Sequence, residues 1–133
     1  MWWRTSMAGN ATGPGVVLDF SRRMNRILAI DRDRRTARVE AGVVLDALRS
    51  ATALYGLTFG PDPSSHSRCT LGGMIGNDAR GNRSVRHGRT GSHIIETLEI
   101  VTAEGVRALA DHSGLHPVWI PPTRSTSPDG RRT

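Results

Sequence analysis

The sequence predicts an α+β domain, and three observations predict it. Residues 26–42, RILAIDRDRRTARVEAG, alternate apolar and polar side chains about a turn; residues 43–55 change to a helical period; residues 95–110 return to strand character after a long glycine-rich stretch. At 133 residues, with 37% apolar and 23% charged residues, the chain has the size and composition of one modest soluble domain. No apolar run approaches the roughly 20 residues of a membrane span. Met1 to Arg4 have none of the features of a signal peptide. The one cysteine, Cys69, excludes an internal disulfide and suggests nothing about export; the default expectation is a cytoplasmic location.

Taken in order, residues 16–20, VVLDF, form a short apolar run that reads as a buried strand. A hairpin follows, with Leu28, Ile30, Ala37, Val39 and Ala41 on one buried face and the turn at Asp31 to Arg34. From Val43 to Tyr55, the residues Val44, Leu48, Ala51 and Tyr55 fall on one helical stripe, with Asp46 in the first turn and Gly56 as the C-terminal cap. Residues 60–93 read as irregular apart from a short helix at Leu71 to Gly76. The segment IETLEIVTA is a strand, Ala103 to Gly105 a turn, and Val106 to Ala110 the returning partner. Beyond Asp111, four prolines among Ser, Thr, Gly and Arg predict a disordered tail over 111–133.

The stretch from Pro61 to Thr90 carries the functional signal. It holds five glycines and two asparagines around the apolar patch Leu71, Met74 and Ile75, too little to fill a core. Side-chain-poor backbone lets amides approach a ligand, and consecutive exposed amides make concave nests that suit a pyrophosphate. A phosphate-bearing cofactor is therefore expected. It is not held by a Rossmann unit, because Gly72, Gly73 and Gly76 do not follow a strand as that fingerprint requires.

Five spaced motifs occur in order: TSMAGN, GPGVVLD, GPDPSS, TLGGMIGN and HGRTGSHI. Together they resemble the PCMH-type (vanillyl-alcohol oxidase-type) FAD-binding domain of the FAD-linked oxidases related to glycolate oxidase and D-lactate dehydrogenase, over roughly Arg4 to Leu109. The resemblance implies a flavoprotein that oxidises a 2-hydroxy acid or similar alcohol by hydride transfer to flavin, the protein positioning and tuning the cofactor. It assigns FAD contacts to Thr5, Ser6, Gly9 and Asn10 in a first loop and to Thr70, Gly72, Gly73 and Asn77 in a second. Pro61 and Asp62 stand where the family's chain passes the flavin. Some relatives bond flavin through a first-loop histidine; Thr5 stands there, so the FAD is expected to be non-covalent. No catalytic or metal-binding residue is assigned.

Departures from the pattern shape further expectations. Arg4 replaces a glycine, and Asp78 puts negative charge beside the second loop unless Arg80 or Arg83 offsets it. The resemblance fades after Leu109, whereas relatives continue into more of the FAD domain and a substrate domain. The expectation is therefore a partial domain, 4–110, incomplete at both ends, from a truncated or frame-disrupted gene product. A separately encoded remainder of the enzyme would be a second partner. The alternative is a non-catalytic remnant acting, if at all, as a basic interaction fragment, with Trp2 and Trp3 left exposed.

Net charge is +6, and all 18 basic residues are arginine. Such a balance attracts phosphates non-specifically, but the arginines are spread along the chain and aromatic stacking residues are few. Glycines 81, 88 and 91 also break the helix that would align Arg80, Arg83, Arg86 and Arg89, so nucleic acid is not the expected partner. His66 and Cys69 lie three apart but lack the clustered ligands of a structural zinc site. They read as a loop histidine and a packed thiol.

Overall fold

The computed structural model describes residues 13–93, 98–102 and 105–109. The expected first-loop contacts Thr5, Ser6, Gly9 and Asn10, the tryptophans at 2 and 3, and the tail at 111–133 lie outside the described residues.

The first described segment departs from the sequence reading. Residues 16–20 are not a buried strand: Val16 is 91% and Leu18 69% exposed, and no described strand pairs with them. The reason is local. The Asp19 carboxylate accepts the Ser21 amide (2.9 Å) and hydroxyl (2.6 Å), which turns the chain into a 3-10 turn at Phe20–Arg22.

The first hairpin forms as expected from β1 (Ile27–Asp31) and β2 (Thr36–Val39), paired antiparallel. Asp31 Oδ1 accepts the amides of Asp33 (3.0 Å) and Arg34 (2.9 Å), so the aspartate itself organises the turn. The buried face is not the simple alternation read from the sequence. A bulge between Ile27 and Ala29 leaves Leu28 unpaired and exposed; Ile27, Ile30 and Val39 are half-buried, and Ala37, expected on the buried face, is exposed. At the open end, Arg26 and Glu40 close the hairpin through main chain and side chain together.

The helix α1 (Leu45–Ala53) begins after Val44, whose bridge to Thr70 ties the helix entrance to the next segment. Its buried stripe is Leu45, Leu48 and Thr52, rotated from the expected Val44, Leu48, Ala51 and Tyr55, and Tyr55 is exposed. The Thr52 hydroxyl can lie inside because it donates to the Leu48 carbonyl (3.0 Å). Gly56 ends the helix as read: with φ +70°, it allows the Gly56 amide to reach Ala53 O and the Leu57 amide Thr52 O.

The core consists of Val43, Leu45, Leu48, Cys69, Leu71 and Met74, with Ile27, Val39, Phe59 and Ala79 packed around it. Half of those buried side chains come from the glycine-rich stretch, which was expected to be unable to fill a core. Short α2 (Leu71–Gly76) matches the sequence reading, and α3 (Ser84–His87) and a 3-10 turn at Thr90–His93 add structure to a segment read as irregular. Buried Thr90 secures that turn by giving both its amide (2.9 Å) and its hydroxyl (2.7 Å) to the Ala79 carbonyl. The second hairpin, β3 (Leu98–Thr102) and β4 (Gly105–Leu109), is antiparallel, with Val101 opposite Val106.

Candidate functional site

The second loop is built on α2, and its two faces differ in kind. Leu71 and Met74 point into the core. The opposite side carries Gly73, Gly76 and Asn77, all exposed, and a Cβ placed on Gly76 would meet no atom within 4 Å. The result is an exposed helical surface, open at Gly76 and bordered at Gly73 by the Thr70 hydroxyl, to which a flat or anionic group can come close.

The amides in this loop are used differently from the sequence reading. Leu71 N–H donates to Val43 O (2.9 Å) and Gly72 N–H to Ala41 O (2.8 Å), so neither is turned toward a ligand. Gly72 serves packing: a Cβ there would lie 2.8 Å from the Ala41 methyl, so its small size lets α2 lie against the 41–43 segment. The Thr70 hydroxyl caps α2 by accepting the Gly73 amide at 3.4 Å, a long bond that holds Gly73 weakly. Asn77 folds back on the helix, with main-chain and side-chain N–H groups both directed to Gly73 O (3.2 and 3.0 Å). The open surface is therefore Gly73, Gly76 and Asn77, beside the cap Thr70.

Asp78, in a left-handed conformation at φ 43°, accepts the Gly91 amide (2.8 Å) and lies 3.4 Å from Arg89 Nη1. Its charge is thus offset by Arg89, not by Arg80 or Arg83 as expected. Arg83 is directed to Asp62 instead, with Nε 3.4 Å from Oδ2.

Pro61 and Asp62 follow Phe59 and Gly60 in the segment that Arg49 of α1 reaches. Pro61 is fully buried. Asp62 is held through its carbonyl and its carboxylate: the carbonyl accepts the Asn82 amide (3.2 Å), and the carboxylate meets Arg49 Nη1 at 2.8 Å as well as Arg83. The hydrogen bond from Arg49 holds the Asp62 carboxyl below the usual carboxylate range, against the opposing effect of burial. Arg49 was not singled out from the sequence. Its position three residues after Asp46 reads as an ordinary helical ion pair, and that contact is long, 3.9 Å.

His66 is more than a loop histidine: its Nδ1 lies 2.8 and 2.9 Å from the two Asp46 oxygens, clasping the 64–69 turn to the start of α1. Cys69 is buried and burial pushes its thiol up, which removes the thiolate a nucleophile needs. Among the described residues, no three His, Cys, Asp or Glu side chains are grouped to hold a metal ion, and no helix is long and apolar enough to cross a membrane.

Comparison with known proteins identifies the setting of this loop. A family model described as FAD binding domain matches residues 4–109. D-2-hydroxyglutarate dehydrogenase of Pantoea ananatis is 44% identical over 91 residues, covering 68% of this chain and 9% of that protein. Glycolate oxidase subunit GlcD of Bacillus subtilis is 40% identical over 104 residues (76% of this chain, 22% of that one), and D-lactate dehydrogenase of Archaeoglobus fulgidus 36% over 103 (76% and 22%). Among solved structures, an alkyldihydroxyacetonephosphate synthase superposes with a TM-score of 0.61 at 30% identity, over 70% of this chain and 17% of its own. The chain spans about a tenth of the length of the D-2-hydroxyglutarate dehydrogenases of Pantoea ananatis and Pseudomonas putida.

Proposed function

We propose, from the premise that the chain belongs to the FAD binding domain family, that it is the cofactor-holding part of an oxidoreductase acting on a 2-hydroxy acid. FAD is the family's cofactor, and when bound it supplies the redox chemistry, accepting the hydride. The observation that carries the reading is the bare face of α2: Gly73 and Gly76 expose main chain where a side chain would keep a planar or phosphate-bearing ligand away.

In this reading Thr70, Gly73 and Asn77 contact the dinucleotide directly. Gly72 contributes by letting α2 pack, and Pro61 and Asp62 form a fixed main-chain wall. Thr5, Ser6, Gly9 and Asn10 complete the site from the first loop, with residues 4–110 as the cofactor-binding unit. Thr5 offers no imidazole for a flavin bond, so the FAD is non-covalent. The relatives' printed names point to D-2-hydroxy acids as the substrate class. The substrate-selecting residues would come from a further polypeptide region, on this chain's own continuation or a separately encoded partner. The reading places the protein in the cytosol, where the buried Cys69 thiol stays reduced.

The test is to incubate the purified chain with micromolar FAD, remove free cofactor by gel filtration and record the visible spectrum. Retained flavin that acid precipitation releases into the supernatant is the expected result. A colourless protein peak would contradict the cofactor reading, and flavin that stays with the precipitate would contradict the non-covalent state.

A further inference from the structure

The segment Phe59–Gly60–Pro61–Asp62 has no helix or strand of its own, yet it is held from two sides. From α1, Arg49 Nη2 donates to the carbonyls of Pro61 (3.0 Å) and Phe59 (3.5 Å), while Nη1 meets the Asp62 carboxylate at 2.8 Å. From the other side come the Asn82 amide on Asp62 O and Arg83 on Asp62 Oδ2. Gly81 makes that approach possible, because a Cβ there would overlap the Asp62 carbonyl. Arg49 is mostly buried, and its Nε is enclosed without a partner. Leaving a buried guanidinium N–H unsatisfied carries a cost, which the contacts to two carbonyls and a carboxylate offset.

We infer that Arg49 is a positioning residue for the cofactor: it sets the main-chain path of Phe59–Asp62, with Asp62 as the pin shared by α1 and the Gly81–Arg83 turn. The inference deepens the FAD reading and rests on it for its functional half. Only a planar, forked cation can reach a carboxylate and the neighbouring carbonyls at once; a lysine ammonium is a point charge and can satisfy one of them well. Arg49→Lys therefore keeps the charge and loses the geometry.

The experiment compares the full-length wild type with Arg49→Lys, and with Asp62→Asn as the milder variant should the first not fold. Without FAD, hydrogen exchange at the Asn82 amide, which donates to Asp62 O, is expected to quicken about tenfold or more on loss of the charge-assisted contacts. The Leu48 amide, inside α1 and bonded to Val44 O, keeps its wild-type rate. With FAD, the dissociation constant is expected to rise about tenfold or more, since a misplaced wall loses the preorganised fit. Wild-type exchange at Asn82 in both variants would overturn the clamp. Faster exchange with unchanged FAD affinity would overturn the positioning role and leave a structural latch. Failure of the wild type itself to bind FAD would count against the cofactor reading, with the exchange data still deciding the clamp.

Discussion

The two hairpins of this chain carry the same local signals and meet different fates. Both alternate apolar and polar residues about a polar turn, and both pair antiparallel. In the first, Ile27 and Val39 pack on the core, and Arg26 with Glu40 closes the open end. In the second, Val101 and Val106 face each other across the strands yet are 80% and 64% exposed. Alternation and turn chemistry make a hairpin; they do not say what it packs against. That second fact depends on other elements, here α1 and α2, and it decides how much each residue is worth.

The largest break in the comparison comes from the core on which the first hairpin rests. Leu45 has no exposed surface, so Leu45→Ala should cost about 3 kcal/mol, read as a lower midpoint in urea denaturation. Val101→Thr on the second hairpin should move stability by less than about 0.5 kcal/mol. Equal effects would erase the distinction.

A somewhat smaller effect is expected at Gly42, where a Cβ would overlap the Phe20 carbonyl and press on that of Met24. Both obstacles are main chain and cannot rotate away. Gly42→Ala should therefore cost about 2 kcal/mol and detach the turn at Phe20–Arg22, seen as faster exchange of the Met24 amide that bonds Phe20 O.

The smallest effect is electrostatic. Hydrogen bonds from Arg26, side chain first, hold the Glu40 carboxyl below the usual range. A carboxyl lowered by folding binds its proton less readily in the native state, so its contribution is complete above the ordinary glutamate value. It is lost as pH falls through the folded-state value. Acidification should loosen the Arg26–Glu40 end of the first hairpin, measured as relative exchange of the Glu40 amide, and Glu40→Gln should remove that dependence. The second hairpin, where no such pair occurs among the described residues, serves as the control.

Much of this was legible in the sequence. The hairpin about Asp31, the Gly56 cap and the limits of α2 follow from turn chemistry and glycine placement, which act over a few residues. Tertiary partners were not legible. Nothing in VVLDF says that Asp19 will turn the chain, and nothing near Leu28 announces the bulge that puts it outside. The glycine-rich loop shows the same divide. Its small residues correctly mark close approach, but at Gly72 and Gly81 what approaches is the protein's own chain, Ala41 and Asp62, while Gly76 remains open and Gly73 is exposed beside the Thr70 hydroxyl. Composition gives all four the same weight, and only the packed structure separates them. Arg49 escaped notice for a related reason, since its acceptors are two main-chain carbonyls and a carboxylate 10 to 13 residues further along the chain.

Amide hydrogen exchange across the whole chain, with and without saturating FAD, tests most directly whether that open surface holds the cofactor. The account predicts slower exchange at Gly73 to Asn77 and at Gly60 and Asp62, with the basic turn at Arg32 to Arg35 unchanged. Protection confined to that arginine-rich turn, or a bound flavin that leaves the α2 amides untouched, would contradict it.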